Sequence, residues 1–179
     1  MIPLTDPDPG HVNSRSEVAI RIREEGNMKK IAGNFSGKGK RIAIVISRFN
    51  EFVSNELLNG CVDTLQKAGV DEKDILVVWT PGSFEIPQVL NRLDAKKCDA
   101  AIALGTIIRG DTPHFDYIAS EVAKGIAKVS LDKNLPMIFG VVTADTIEQA
   151  IERAGTKQGN KGRDAALSAL EMASVCAQL

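Results

Sequence analysis

The stretch Gly105-Thr-Ile-Ile-Arg-Gly-Asp-Thr-Pro-His114 carries the densest set of groups able to do chemistry. It runs into apolar residues at helical spacing, so its end is a helix start, where unpaired N–H groups and the positive end of the dipole favour an anion. Gly110 allows close backbone approach to such a ligand, and Thr112 adds a hydroxyl. Two readings stand: a cradle for a phosphate-like anion, or a plain turn at Gly110 followed by a plain cap at Thr112. His114, in the first helical turn, carries the side chain whose ordinary titration falls nearest physiological pH, which suits a proton shuttle. A structural or solvated histidine is the alternative.

Three other stretches hold chemically useful groups. In Ser47-Arg-Phe-Asn50, Phe49 sits in a turn where its ring is free either to stack on a planar heterocycle or to pack in the core. Thr80-Pro-Gly-Ser-Phe-Glu85 brings a second aromatic and a carboxylate to another helix start. Glu85 is either a favourable first-turn acid or an acceptor for a polyol. Arg153, Lys157, Lys161 and Arg163 surround the glycine-rich turn Gly155–Gly162, as a solvated face or as a basic cluster with a ligand. The spacing of a phosphate-binding nucleotide loop is absent there, and Gly37-Lys-Gly39 precedes a strand where a dinucleotide fingerprint would follow one. No acidic pocket after the first strand supports a phospho-receiver domain. His11 is background.

The elements that must position these groups can be read from the apolar pattern. Short β-branched runs alternate with helical periodicity from Arg41 onward. The runs are Ile42–Ile46, Ile75–Trp79, Ala100–Leu104 and Met137–Val142. The helices between them turn inward Val53, Leu57, Leu58, Cys61, Val62 and Leu65; then Ile86, Val89, Leu90 and Leu93; then Phe115, Ile118, Val122, Ile126 and Val129. The second helix begins near Phe84, Thr112 caps the third with Pro113 at its first position, and Asp145 caps a short fourth helix that stops near Gly155. An alanine-rich helix from about Arg163 ends the chain. Uninterrupted apolar strands imply helices on both sheet faces, and right-handed crossovers then give an α/β, flavodoxin-like, doubly wound sandwich around a four-stranded parallel central sheet. In such sheets ligands lie beyond the carboxyl ends of the strands, which is where the loops after the first three strands fall.

Composition narrows the function classes. At 179 residues and 44% hydrophobic, the chain supports one core. Its 22 basic and 23 acidic side chains nearly cancel, so no net field favours nucleic acid or an anionic membrane. Cys61, Cys98 and Cys176 are odd in number and far apart, fitting neither a disulfide framework nor a zinc-ligand spacing, and read as buried thiols in a reducing cytoplasm. No membrane span or signal core is present in the pattern. Residues 1–27, proline- and charge-rich apart from a short apolar patch at Val18–Ile22, read as a disordered N-terminal extension, and residues 28–179 as the functional domain.

The chain from about Met28 onward resembles the lumazine synthases, enzymes of the penultimate step of riboflavin biosynthesis. The resemblance rests on Ser47–Asn50, Pro81-Gly-Ser-Phe-Glu-Ile-Pro87, Ile108-Arg-Gly-Asp-Thr-Pro-His-Phe-Asp-Tyr-Ile118, Phe139-Gly-Val-Val-Thr143 and Glu148–Gly162, in that order, with Met28-Lys-Lys-Ile-Ala-Gly-Asn34 similar to an ordinary family start. It implies a transferase that condenses 5-amino-6-(D-ribitylamino)uracil with 3,4-dihydroxy-2-butanone 4-phosphate, releasing phosphate and water. The substrate's own amine attacks the ketone, so neither cofactor nor metal is implied.

By the same resemblance, Phe49 stacks on the pyrimidine, while Ser83, Phe84 and Glu85 hold the uracil and ribityl chain. Thr106, Ile107 and Ile108 contact the pyrimidine, Asp111 and Thr112 hold the phosphate, and His114 shuttles protons. Phe139, Arg153 and Lys161 come from a neighbouring subunit, with Arg153 on the phosphate. Asp111 departs from relatives that carry a small residue there, and a carboxylate beside phosphate is repulsive unless it faces solvent and only its N–H binds. Pentamers are implied, and so is an icosahedral shell of twelve pentamers, because the turn Gly155–Gly162 is similar to that of shell-forming members. Riboflavin synthase is a further implied partner. On residues alone, a non-catalytic carrier of a flavin or ribityl compound and a shell protein without activity stay open.

Overall fold

The computed structural model describes residues 28–156 and 159–179. The expectations for residues 1–27, including disorder, the Val18–Ile22 patch and His11, and the place of Lys157 in the basic cluster lie outside the described residues. The body of the fold is Ile31–Leu179. No helix among the described residues is long and apolar enough to cross a membrane.

Strands β1 (Ile42–Ser47), β2 (Ile75–Thr80), β3 (Ala100–Ile108) and β4 (Met137–Ala144) form one sheet in the order β2-β1-β3-β4, every pair parallel. Helices α1 (Glu51–Lys67), α2 (Ile86–Arg92), α3 (His114–Lys133), α4 (Ile147–Arg153) and α5 (Lys161–Cys176) cover it. This is the flavodoxin-like, doubly wound arrangement expected from the strand pattern. Alternation along the strands splits the core in two. Ile42, Ile44, Ile46, Ala100, Ile102 and Leu104 meet α1, α4 and α5 on one face, and Ala43, Val45, Ala101 and Ala103 meet α2 and α3 on the other. At the amino ends of the central pair, Asp99 accepts from the Arg41 N–H at 2.7 Å while its own N–H donates to the Arg41 carbonyl at 2.8 Å. Burial pushes the Asp99 carboxyl up, but its bonds with Arg41 outweigh that and hold it below the usual carboxylate range.

Local details depart from expectation in four places. The β2 strand is not covered on both faces. It is an edge strand, α1 packs over β1 and β3 and α2 over β1, and Leu76 is left 51% exposed. Thr112 makes no cap bond: Pro113 takes the capping position and α3 begins one residue later, at His114. The cap of α4 is Thr146 and not Asp145, because the Thr146 hydroxyl is the one placed to accept from the Gln149 N–H, at 3.3 Å. Cys61 and Cys98 are buried, but Cys176 is exposed, since it ends α5 on a solvent-facing turn.

The α1–α5 crossing fixes the far side of the sheet. A Cβ at Gly162 would strike the Leu57 carbonyl, so only glycine lets the first turn of α5 settle on α1. Asn160 welds this junction. Its Oδ1 accepts from the N–H groups of Gly162 and Arg163 at 2.8 and 3.1 Å, and its Nδ2 donates to the carbonyls of Glu56 and Ala154 at 2.8 and 2.6 Å. The end of α4 and the start of α5, which carry Arg153 and Lys161, are thereby held together.

Asn160→Ala removes a helix cap and strips two carbonyls of their donor, and should lower unfolding free energy by about 2 kcal/mol in denaturant titration. Asn160→Asp restores the cap but not the donations, and should recover only part of that loss. A second outcome concerns pH. Burial pushes the Cys61 thiol up to about 12, while the unfolded thiol ionises near the ordinary 9.0. The folded state therefore holds the proton longer, and this stabilisation is complete below about pH 9 and lost as pH rises toward 12. Wild type should lose up to about 1.4 kcal/mol per pH unit more than Cys61→Ala across that window, as read from unfolding midpoints.

Candidate active site

The carboxyl ends of β1, β2 and β3 surround a cavity of about 670 Å³. It lies at the point where the chain, having placed β2 on one side of β1, crosses to place β3 on the other. The loops after β1 and β3 therefore diverge and leave a crevice between them.

Each wall follows from a local device. Asn50 adopts a left-handed backbone, φ 59° and ψ 47°, at the start of α1, and its Nδ2 donates to the Thr106 carbonyl at 3.1 Å. With the Ser54 hydroxyl donating to the Phe49 carbonyl at 3.3 Å, this turn holds Phe49 out at the cavity mouth, 70% exposed. On the next loop the Thr80 hydroxyl donates to the Gly82 carbonyl at 2.8 Å and bends the chain so that Ser83 turns inward. The Ser83 hydroxyl donates to Ser47 Oγ at 3.2 Å, both side chains being buried. Phe84 stays on the rim at 56% exposure, and Glu85 lies behind it with Oε2 2.9 Å from where a Cβ on Gly82 would stand. Gly105 completes the floor: a Cβ there would lie 2.6 Å from Ser47 Oγ and 3.0 Å from Ser83 Oγ. The third wall is the end of β3 and the first turns of α3, with Ile107, Ile108, Gly110, Thr112 and His114 lining the cavity.

Nine of the residues expected at the site, Phe49, Ser83, Phe84, Glu85, Thr106, Ile107, Ile108, Thr112 and His114, thus share one cavity. Thr106 belongs to it through its backbone. By strand alternation its side chain sides with Ile102 and Leu104 on the opposite face, where the hydroxyl is buried without a hydrogen-bond partner among the described residues. Asp111 is exposed and does not line the cavity, which removes the repulsion its carboxylate would bring to an anion there. Phe139, Arg153 and Lys161 open onto a different cavity of about 350 Å³, between β4 and the α4–α5 junction. There Arg153 Nη1 donates to the Gln149 carbonyl at 3.1 Å and Lys161 pairs with Asp164 at 2.8 Å.

Two lining residues were expected in the core instead. Phe115 and Ile118 form the α3 wall of the larger cavity, half-buried. The available signal was their place directly after His114 at a helix mouth, where the inward face of the helix meets the crevice before it meets the sheet. Arg48, from the same turn as Phe49, lies over the Trp79 ring with Cζ 6.0 Å from its centroid and does not line the cavity.

One cavity is therefore aromatic and apolar, with hydroxyls, backbone amides and an imidazole; the other carries two cationic side chains beside a phenylalanine. The first suits a planar heterocycle with a polar tail and the second an anion. A family model described as 6,7-dimethyl-8-ribityllumazine synthase matches residues 39–177. Among solved structures, a de novo designed Rossmann fold protein is similar at 13% identity and a TM-score of 0.36, over 63% of this chain and 91% of that one, too remote a likeness to bear on function.

The Gly105 floor gives a direct check. Gly105→Ala forces its methyl onto two hydroxyls in a closed space and should destabilise by about 1–3 kcal/mol in denaturant titration. Adding Ser47→Ala frees the nearer clash and should return part of that loss, so the two changes are non-additive. Simple additivity would contradict the packing described.

Proposed function

The chain belongs to the 6,7-dimethyl-8-ribityllumazine synthase family, transferases of riboflavin biosynthesis, and on that premise we propose that it condenses 5-amino-6-(D-ribitylamino)uracil with 3,4-dihydroxy-2-butanone 4-phosphate, releasing phosphate and water. The observation that carries the reading is the meeting of Phe49, Ser83, Glu85 and His114 in one cavity of about 670 Å³, within the usual range for a site holding a small organic ligand.

In this reading the Phe49 ring covers the face of the pyrimidine. The buried Ser83 and the backbone of Thr106 and Ile107 meet its polar edge, and Glu85 accepts from the ribityl hydroxyls. The turn from Gly110 to Thr112 presents backbone N–H groups at the start of α3 to the phosphate, a placement favoured by the helix dipole. The uracil's amine supplies the electron pair that attacks the ketone carbon. The protein's share is to hold the reactants together and to move protons, as water leaves the carbinolamine and as phosphate departs. His114, at the first position of α3 and open to the cavity, is placed to do the latter.

Among the described residues no arginine or lysine lines this cavity, and Arg153 and Lys161 face the other one. We read Phe139, Arg153 and Lys161 as lent to a neighbouring copy, which makes each site a joint product of two protomers. A shared site calls for an oligomer, for which the family's pentamer is the assembly proposed, and the turn at Gly155–Gly162 extends the proposal to a shell of twelve pentamers. A native mass near that of a monomer would sink the shared site, and one near a pentamer would sink the shell.

Mixing the purified protein with both substrates should produce the fluorescent lumazine well above the spontaneous rate. His114→Ala should lower kcat by at most about a hundredfold, the low end of what general acid–base groups contribute, because positioning remains. Arg153→Ala should leave kcat nearly unchanged and raise KM for the phosphorylated ketone by about ten- to hundredfold, the worth of a charge-assisted hydrogen bond. If product never exceeds background, the function is wrong; if both variants match wild type, the residue roles are.

A further inference from the structure

Arg109 stands at the end of β3, directly before Gly110, where a cation would ordinarily be taken as the partner of an anion held at the start of α3. Its guanidinium is occupied by protein instead. Nε donates to Asp145 Oδ1 at 2.9 Å, while Nη1 and Nη2 donate to Asp116 Oδ2 and Oδ1 at 3.1 and 3.2 Å. The group also lies over the Phe115 ring, with Cζ 4.1 Å from its centroid. Two carboxylates on one guanidinium leave no positive excess to offer a phosphate, and the side chain does not line the cavity.

These partners belong to different pieces of the fold. Phe115 and Asp116 directly follow His114 in the first turn of α3, and Asp145 lies between β4 and α4. From Asp145 the connection continues: its N–H donates to Gln149 Oε1 at 3.0 Å, and the Gln149 carbonyl accepts from Arg153 Nη1 at 3.1 Å. A continuous run of hydrogen bonds thus joins the helix start that carries His114 to the arginine of the second cavity.

We propose that Arg109 is a positioning residue and not an anion ligand: it pins the first turn of α3, with His114 and the Gly110–Thr112 turn, to the β4–α4 loop, and so fixes the relation between the two half-sites that one protomer carries. The proposal rests on the functional reading of His114 and Arg153 given above. Side-chain exposures of 43% for Arg109, 58% for Asp116 and 65% for Asp145 mean that solvent screens these pairs, so global stability depends on them weakly. What the group supplies is geometry. A rigid, planar fork can bridge two carboxylates while stacking on a ring, whereas the point charge of lysine cannot.

The test compares wild type, Arg109→Lys, Arg109→Met, Asp145→Asn and the double variant Arg109→Met/Asp145→Asn. Steady-state kinetics are measured in both substrates, and amide hydrogen exchange across residues 109–116 in the substrate-free protein. Each single variant should lower kcat by about tenfold, a fraction of what an ångström of misplacement can cost, with KM for the uracil held within about twofold and melting nearly unchanged. Arg109→Lys should fail to rescue, the double variant should be no worse than the poorer single, and exchange at 109–116 should quicken in all of them. Wild-type kinetics in Arg109→Lys, or a lower KM for the phosphorylated ketone in Asp145→Asn, would make Arg109 an anion ligand and overturn the proposal. Should Arg109→Met fail to fold, the isosteric Asp145→Asn carries the same test. A wild-type protein that forms no lumazine defeats the functional reading alone. Exchange then decides, and unchanged protection at 109–116 in Arg109→Met and Asp145→Asn overturns the pin.

Discussion

The parallel pairing of β1 with β3 constrains everything else in this protein. Residues Ile42–Ile46 run in register with Ala100–Leu104, locked at the amino end by Arg41 and Asp99. Because β2 lies on the far side of β1 and β4 on the far side of β3, the connections leaving the two central strands must part. The gap they leave is the cavity floor, and small residues keep it open: Ser47 ends β1, and Gly105 follows Leu104, the last residue of β3 paired with β1. Larger side chains there would fill the crevice with the strands still correctly paired. The fold therefore makes a cleft available, and a few small residues keep it one.

Much of this was legible in the sequence for a simple reason. Strands buried on both faces are read from continuous apolar runs, and Ile42–Ile46 and Ala100–Leu104 needed no tertiary information. The edge strand misled because Ile75–Trp79 is as apolar as a central strand, although its exposure depends on where α1 and α2 land. Caps were displaced by one residue at Pro113 and Thr146 because the loop decides which residue stands at the helix start, and only at Thr146 does a side chain then reach a free N–H. Phe49, Ser83, Phe84, Glu85 and Thr112 fall in the segments after strands, where ligands sit in any doubly wound sheet, whereas Thr106, Ile107 and Ile108 were reached through family resemblance. Arg153 and Lys161 were close enough in sequence to be read as one basic cluster, but the addition of Phe139 to them came from family resemblance. Arg109 was passed over because one of its carboxylates, Asp145, lies 36 residues away.

The distribution of charge agrees with a site completed between copies. The chain is nearly neutral, and among the described residues its larger cavity offers an anion N–H groups, hydroxyls and an imidazole. Arg153 and Lys161 are gathered elsewhere by the Asn160 junction, which fixes α4 and α5 against α1. Under the proposed reaction one substrate is a heterocycle and the other a phosphate ester. Each protomer then presents a surface for both kinds of group, but on different sides of itself.

The side-chain nucleophiles near and away from the cavity limit where a rate enhancement could come from. Ser83 donates to Ser47, another alcohol and not a base, so nothing there would raise its reactivity. The Cys61 thiol is buried on the α1 and α5 face, pushed up to about 12, and cannot supply a thiolate at neutral pH. Cys98 lies next to the beginning of β3, at the opposite end of the sheet from the cavity, and burial raises it too. Attack by the protein is therefore disfavoured at each of these groups, in keeping with the proposed mechanism of oriented reactants and proton transfer by His114. A mechanism of that kind is sensitive to where a helix start sits and indifferent to how strongly it is held. Solvent-screened contacts such as those of Arg109 can then matter for turnover while contributing little to folding.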